Sequence, residues 1–231
     1  MKRKKFVVAI DGPAGVGKSS VGKNVASALG YKFISTGKMY RALAWKALEA
    51  GIDLKDEEEL VNAAEAADWT FPEGEGPEAD VALDGKVPGD ALIQEKVSRA
   101  SSVIAVLPRI RAFMKKMQRR AGENGGVVME GRDIGTNVFP DAEIKIFLDA
   151  SPEARAERRY KQLKSRNEPA DYGEILGFII ERDKQDSTRA LNPLKKAEDA
   201  YYLDSTGLDQ KQVTERIVEV FNEVSTRLLS E

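Results

Sequence analysis

Gly12-Pro13-Ala14-Gly15-Val16-Gly17-Lys18-Ser19 fits G-x-x-x-x-G-K-[ST], the phosphate-binding P-loop pattern. The flanks supply the context that this pattern needs. Upstream, Phe6-Val7-Val8-Ala9-Ile10 is a short apolar run rich in β-branched residues and reads as a buried strand. Downstream, Val21, Val25, Ala28 and Leu29 recur at helical spacing, and Gly30 stands where a helix C-cap belongs. Small residues let the backbone wrap a polyphosphate with its N–H groups pointing inward, and the helix N-terminus adds positive potential there. The residues from Gly12 through Ser20 are therefore the expected binding loop for a nucleoside triphosphate. Lys18 is expected to reach the β- and γ-phosphates, and Ser19 to offer its hydroxyl to Mg²⁺.

Composition narrows the chemistry. The chain has 231 residues, ample to bury a core as one large domain. It has neither Cys nor His, which excludes disulfides, Cys/His zinc sites, thiol nucleophiles and imidazole acid–base catalysis. Catalysis must run on Lys, Arg, carboxylates, hydroxyls, backbone amides and a hard metal ion. Phosphoryl transfer is a reaction for which that set suffices, because it depends mainly on positioning and charge neutralisation. The formal net charge of −2 gives no global basic field, so nucleic acid is not an expected partner. Met1-Lys2-Arg3-Lys4-Lys5 opens like a signal peptide, but the apolar stretch behind it is short and runs into the P-loop, so a solvated tail is expected. No apolar run approaches the roughly 20 residues of a membrane span. A cytoplasmic protein without a membrane partner is the expectation, compatible with the lack of Cys.

Apolar runs suited to buried strands recur at 6–10, 32–34, 126–129, 144–148 and 201–203, with helical patterns between most of them. That alternation predicts an α/β fold with a parallel sheet covered on both faces. Val213, Ile217, Phe221, Val224 and Leu228 form one apolar stripe and predict a final helix. The alternation breaks between residues 68 and 89. There Trp69-Thr70-Phe71-Pro72 and Val81-Ala82-Leu83 flank a stretch rich in Gly and Glu, and Asp84-Gly85 is a hairpin signal. A small β insertion projecting from the main sheet is expected.

Further clusters carry polar chemistry. Ser35-Thr36-Gly37-Lys38-Met39-Tyr40-Arg41 follows the second strand, at the C-terminal end where α/β sheets bind ligands. Ser101-Ser102 precedes Pro108-Arg109-Ile110-Arg111. Pro108 suits a first helical turn, and Arg109 and Arg111 point to different faces, so one of them is expected to meet a ligand. Glu130-Gly131-Arg132-Asp133-Ile134-Gly135-Thr136 ends an apolar strand in a Walker B-like manner, with acidic residues placed to help hold Mg²⁺. Arg132 suits a phosphate, and Asp133 a base or sugar. Arg155, Arg158 and Arg159 follow Ser151-Pro152, a natural N-cap and first helical residue. Their spacing puts them along one face. They either pair with Glu153 and Glu157 or form a mobile lid over the transferred phosphoryl. Arg182, Asp186 and Arg189 fall at i, i+4 and i+7, beside Asp183, and share a helix face. Such a stripe is either a row of ion pairs or a holder of phosphate and ribose, since guanidinium grips phosphate oxygens bidentately.

Two phosphate-binding regions imply an acceptor that itself carries a phosphate and needs no base to activate it. The residues lead to a P-loop small-molecule kinase. The alternatives are a kinase for another acceptor (a different nucleotide, shikimate or a sugar acid), a nucleotide-dependent switch, and a non-enzymatic nucleotide-binding scaffold. The chain lacks an Asn-Lys-x-Asp guanine-reading motif, and an arginine-rich second site has no use in a switch.

The clusters together, with Phe139-Pro140-Asp141-Ala142, Lys145 through Ser151 and Glu181-Arg182-Asp183, resemble the bacterial cytidylate kinase family of P-loop nucleoside monophosphate kinases over residues 6–229. The resemblance implies an α/β P-loop three-layer sandwich with a five-stranded parallel sheet, a lid segment and a small β insertion in the monophosphate-binding region. It implies a single domain with its core at 1–37, 103–150 and 190–231. The monophosphate-binding region would be 38–102, the lid 151–170 and the substrate-contacting helix 171–189. The implied activity is transfer of the γ-phosphoryl of Mg·ATP to CMP or dCMP. On the family pattern Arg41, Arg132 and Arg182 contact the CMP phosphate. Ser102, Arg111 and Asp133 contact cytosine, and Asp186 and Arg189 the ribose. Thr36, where a Ser also occurs in the family, and Tyr40 complete the CMP site, while Lys18, Arg158 and Arg159 are the catalytic cations. The implied partners are small nucleotides, and a monomer is expected.

Overall fold

The computed structural model describes residues 5–72 and 76–230; residues 1–4 of the expected tail and 73–75 of the expected insertion lie outside them. β1 (Val7–Asp11) runs through the glycine loop into α1 (Lys18–Leu29), and β2 (Lys32–Ser35) into α2 (Thr36–Ala50). α3 (Glu57–Ala66), a short pair β3 (Trp69–Thr70) and β4 (Ala82–Leu83), and α4 (Glu95–Ile104) follow. α5 (Pro108–Gly122) leads to β5 (Val127–Gly131), and β6 (Ile144–Asp149) to the helical pair α6 (Pro152–Ser165) and α7 (Tyr172–Thr188). β7 (Tyr201–Asp204) and α8 (Gln210–Ser230) come last.

The five strands expected from apolar runs form one parallel sheet in the order β2-β5-β1-β6-β7, but β7 is not the buried strand that its run suggests, since it ends the sheet with Tyr201 and Tyr202 exposed. Val8 and Ile10 face a cluster built with α1 and α8, whereas Ala9 faces a second cluster built with α2 to α5. Strands buried on both faces need no polar alternation, which is why β1 and β5 read as continuous apolar runs. Val213 and Ile217 of α8 are buried, with Phe221, Val224 and Leu228 packed beside them. The helix ends follow local chemistry. Gly30 caps α1 in the left-handed region at φ 65°. Pro108 opens α5, and Ser151 Oγ accepts from Ala154 N–H at 3.2 Å to cap α6. Among the described residues no helix is long and apolar enough to cross a membrane.

The insertion departs from expectation in two ways. Asp84-Gly85 does form a tight turn, both residues at positive φ (52° and 75°). Past it, however, among the described residues only Leu83 and Lys86 bridge, and the main pairing is of β4 with β3. Nor does the segment project from the sheet. Val81, Ala82 and Leu83 are buried, and Phe33 on β2 donates to Pro77 O at 2.7 Å and accepts from Ala79 N–H at 3.0 Å. An edge strand carries unpaired backbone groups, and the insertion covers those of β2. Glu78 then joins Lys23 of α1 at 2.5 Å and Lys38 of α2 at 2.6 Å.

The strand order reverses at β1 and β5, since the chain leaving β1 crosses to β2 on one side whereas that leaving β5 crosses to β6 on the other. Such a reversal of strand order opens a crevice at the C-terminal edge of the sheet.

Candidate active site

At Gly12 the backbone passes Leu148 so closely that a Cβ would lie 2.0 Å from the Leu148 carbonyl oxygen. Gly17 caps α1 at φ 99°, with no side-chain cap and no acidic residue in the first turn. The first N–H groups of α1 are thus left for an anion. Lys18 is buried beneath them, and its ammonium donates to Gly12 O at 2.8 Å and Pro13 O at 2.6 Å. Burial, and after it the charge of Arg132, lowers the Lys18 pKa to about 7.

Two strand-end carboxylates flank this loop. Glu130 Oε1, ending β5, accepts from Ser19 Oγ at 2.9 Å and from Ser35 Oγ at 2.6 Å. Asp11, ending β1, accepts from the N–H groups of Ile134 and Gly135 at 2.8 and 2.7 Å. It thereby anchors a wide turn, Ile134–Val138, in which Val138 N–H bonds Asp133 O and Phe139 N–H bonds Ile134 O. Burial raises the Asp11 pKa to about 6 against the pull of those two N–H groups. Among the described residues no group of three or more acidic side chains forms a metal cage. Mg²⁺ nevertheless fits the Ser19 hydroxyl with the Glu130 carboxylate beside it, because this ion usually keeps waters and takes phosphate oxygens with one or two protein oxygens.

A cavity of about 450 Å³ opens beside Lys18 and Ser19. Thr36, Tyr40, Arg41, Ser102, Arg111, Arg132, Asp133, Arg182, Asp186 and Arg189 all line it, although they come from α2, α4, α5, the end of β5 and the α7 region. Arg109 points elsewhere, beside Phe113 and Lys116, as its two-residue offset from Arg111 predicts.

Part of the cavity is a tight ionic network. Asp133 accepts from Arg111 Nη2 at 2.7 Å, Asn137 Nδ2 at 2.8 Å and Arg189 Nη2 at 3.2 Å. Arg111 Nε is buried without a hydrogen-bond partner among the described residues. Asp186 accepts from Arg132 Nε at 2.8 Å. Burial alone would raise the pKa of Asp186, but Arg132, Arg182 and Arg189 carry it below the usual carboxylate range. Thr36 Oγ1 donates to Glu130 O at 2.8 Å, and Ser101 and Ser102 both donate to Ser98 O. Burial pushes the Tyr40 phenol up to about 12, so it stays a neutral donor. The other part is a positive surplus. Neither Arg41 nor Arg182 has an acidic partner at ion-pair distance among the described residues, and burial with the charge of Arg132 lowers the pKa of both. Three guanidiniums facing one space make a site for a compact dianion.

The arginines of α6 part company, which corrects the expectation of one shared face. Arg155 is 2% exposed, one turn from the Ser151 cap, and its guanidinium reaches under the P-loop to Ala14 O and across to Asp183. It is not available to a lid. Arg158 donates to the carbonyl oxygens of Ser205, Thr206 and Leu208, while Arg159 is exposed and donates to Gln162 Oε1 at 2.6 Å. Neither lines the arginine-rich cavity. Both line a second one of about 430 Å³ on the other side of the P-loop, with Gly15, Gly17 and Ser20. The ion pairs considered for Glu153 and Glu157 do not form with these arginines; Glu157 meets Lys161 instead, at 3.1 Å. The sequence reading missed Gln162 and Gln185, which also line the first cavity. A neutral amide in mid-helix carries no pattern that would have singled it out.

The chain matches the cytidylate kinase family model over residues 8–223. It is 45% identical over 221 residues to the cytidylate kinase of Solibacter usitatus (strain Ellin6076), covering 95% of this chain and 93% of that one. With the cytidylate kinase of Geobacillus kaustophilus (strain HTA426) it shares 44% over 224 residues, covering 96% and 99%. Among solved structures, a gluconokinase from Sinorhizobium meliloti 1021 aligns with a TM-score of 0.51 at 15% identity, covering 99% of this chain and 98% of that one. That likeness supports the fold alone. With a family model spanning most of its length and relatives matched nearly end to end, the chain belongs to the cytidylate kinase family.

Proposed function

We propose that this protein transfers the γ-phosphoryl of Mg·ATP to CMP or dCMP, giving ADP and CDP or dCDP. One observation carries the reading: a single cavity joins Lys18 and Ser19 of the P-loop to an arginine-lined anion site whose wall also holds Asp133 and Asp186. Residues Gly12 through Ser20 hold the triphosphate, and the cavity beside Arg158 and Leu208 takes the donor nucleoside. Arg41, Arg132 and Arg182 bind the acceptor phosphate. Ser102, Arg111 and Asp133 read cytosine; all three line the same cavity and present hydroxyl, guanidinium and carboxylate groups fit for a polar base edge. Asp186 and Arg189 take the ribose, with Thr36 and Tyr40 closing the wall.

An oxygen of the acceptor phosphate attacks the γ-phosphorus, the bond to the bridging oxygen breaks, and ADP leaves with that electron pair. No proton has to be removed, because a phosphate monoester is mostly dianionic above about pH 6. This is why a chain without His suffices. Ser19, with Glu130 beside it, would hold Mg²⁺, which would supply charge neutralisation to the phosphates. Residues 151–170 act as the lid and 171–189 as the acceptor helix, on a core of 1–37, 103–150 and 190–231, with 38–102 as the monophosphate region. Closure brings the exposed Arg159 over the phosphoryl and excludes water, while Arg158 shapes the donor side. A monomer that acts on small nucleotides in the cytoplasm goes with this reading.

ADP release from Mg·ATP against CMP, dCMP, UMP, AMP, GMP and dTMP tests the reading. Turnover is expected with CMP and dCMP above all. Preference for another monophosphate would overturn the base assignment, and acceptor-independent hydrolysis alone would overturn the kinase reading.

A second outcome follows from Lys18. Its pKa is about 7, and a triphosphate beside it raises that value by supplying opposite charge. At pH 8 Asp11, near 6, is already ionised in the free protein and takes no part. Binding of Mg·ATP at pH 8 is therefore expected to take up about one proton per nucleotide. Affinity falls as pH rises through 7, because only protonated Lys18 attracts the phosphates. Titration calorimetry in two buffers of unlike ionisation enthalpy reads the uptake. An equal uptake by Lys18→Arg, which carries a permanent charge, would refute the assignment.

A further inference from the structure

We infer that Arg155 and Asp183 are a positioning pair that makes affinity at the acceptor site depend on occupancy of the donor loop. The inference rests on the donor and acceptor assignments just proposed and adds a residue pair outside both. Arg155 lines neither cavity, and neither does Asp183.

The geometry joins three elements through one buried guanidinium. Arg155 Nε donates to Ala150 O at 3.0 Å, at the root of α6. Nη1 donates to Ala14 O in the P-loop at 2.9 Å and to Asp183 Oδ1 at 3.0 Å, and Nη2 donates to Asp183 Oδ2 at 2.5 Å. The loop also packs on its stem, since a Cβ at Gly15 would lie 3.7 Å from Arg155 Cβ. A planar fork held at both ends transmits position in a way that the single flexible ammonium of lysine does not. Asp183 follows Arg182 directly and precedes Asp186 by three residues, and both of those line the acceptor cavity. One side of α7 therefore faces the acceptor while Asp183 is tied to the donor loop.

The loop has a reason to move. Lys18 bonds the carbonyls of Gly12 and Pro13, immediately before Ala14. A triphosphate competes for that ammonium, and release of the two carbonyls lets the peptides before Ala14 readjust. Arg155 passes the change to Asp183, and so to Arg182 and Asp186.

The test is a binding cycle: CMP affinity by calorimetry, with and without a saturating non-hydrolysable Mg·ATP analogue, for wild type, Asp183→Asn and Arg155→Lys. Typical coupling between sites is about 5- to 150-fold. We expect wild-type CMP affinity to rise about 10-fold with the analogue and each variant to fall below about 2-fold, with affinity for CMP alone nearly unchanged. By reciprocity, the analogue's own affinity changes by the same factor in each protein. Wild-type coupling in both variants overturns the inference, even if both affinities drop, since that marks a merely structural pair. Equal CMP affinity with and without the analogue in wild type also overturns it. Failure of the wild type to bind CMP at all would instead bring down the functional reading beneath it. Should Asp183→Asn not fold, Arg155→Lys, which keeps the charge, decides alone.

Discussion

Lys18→Ala is expected to lower kcat with CMP by about 10³-fold, close to 4 kcal/mol of lost transition-state stabilisation. The ammonium sits in the one place where the donor loop, Glu130 and Arg132 converge, and it is the only lysine lining the arginine-rich cavity among the described residues. Charge that develops between the β- and γ-phosphates meets it in a buried setting, where a fixed cation is worth far more than in water. The folded protein gains little from it in return. A lysine whose pKa has dropped to about 7 is one whose burial opposes its own charge. Removing it relieves that penalty but strips the donor from the Gly12 and Pro13 carbonyls, so the two effects offset and the melting temperature of Lys18→Ala is expected to stay close to that of wild type. Loss of rate without loss of stability is the signature of a residue kept for chemistry. Steady-state kinetics and a thermal melt on the same preparation decide it. A kcat within tenfold of wild type would refute the assignment, and a sharply lowered melting temperature would mean that the lost rate reports misfolding.

Local chemistry was legible in the sequence wherever the determining contacts are local. β1, β2, β5 and β6 are apolar because both their faces are covered, and the P-loop declares itself because its glycines, lysine and serine must follow one another. The stripe Arg182, Asp186 and Arg189 was readable from spacing, and all three line one cavity although Arg189 already lies past the end of α7. Arg155 was not legible. It is one charge in a helix full of charges, and only its partners, Ala14 across 141 residues and Asp183 across 28, take it out of solvent. The insertion failed for the same reason. The pairing of Phe33 with Pro77 and Ala79 is set by the open edge of β2, which no turn signal at Asp84-Gly85 encodes.

The second large effect concerns base selection. Asp133→Asn is expected to erode the preference for CMP over UMP, as a ratio of kcat/KM values, by about 10²-fold, the scale of a well-made hydrogen-bonding pair to a base edge. Cytosine presents an amino group where uracil presents a carbonyl, and a carboxylate only accepts. The network leaves it one opening. An ionised carboxylate offers about four lone-pair sites; Oδ2 is taken by Arg111 and Asn137, whereas Oδ1 accepts only from Arg189, at 3.2 Å. One acceptor site therefore faces the cavity, fit for a single donor and hostile to a carbonyl. Asparagine keeps the shape but can turn its amide N–H₂ to uracil, so the discrimination falls from both sides. Alanine is the harsher variant. It strips the partner from Arg111, whose side chain is 6% exposed, and leaving a buried charge uncompensated costs about 3–5 kcal/mol. Asp133→Ala is thus expected to lose both stability and selectivity, while Asp133→Asn loses selectivity with its ATP KM close to wild type. If the CMP-to-UMP ratio of Asp133→Asn stays within about threefold of wild type, well below the expected span, Asp133 holds Arg111 and Arg189 in place without reading the base.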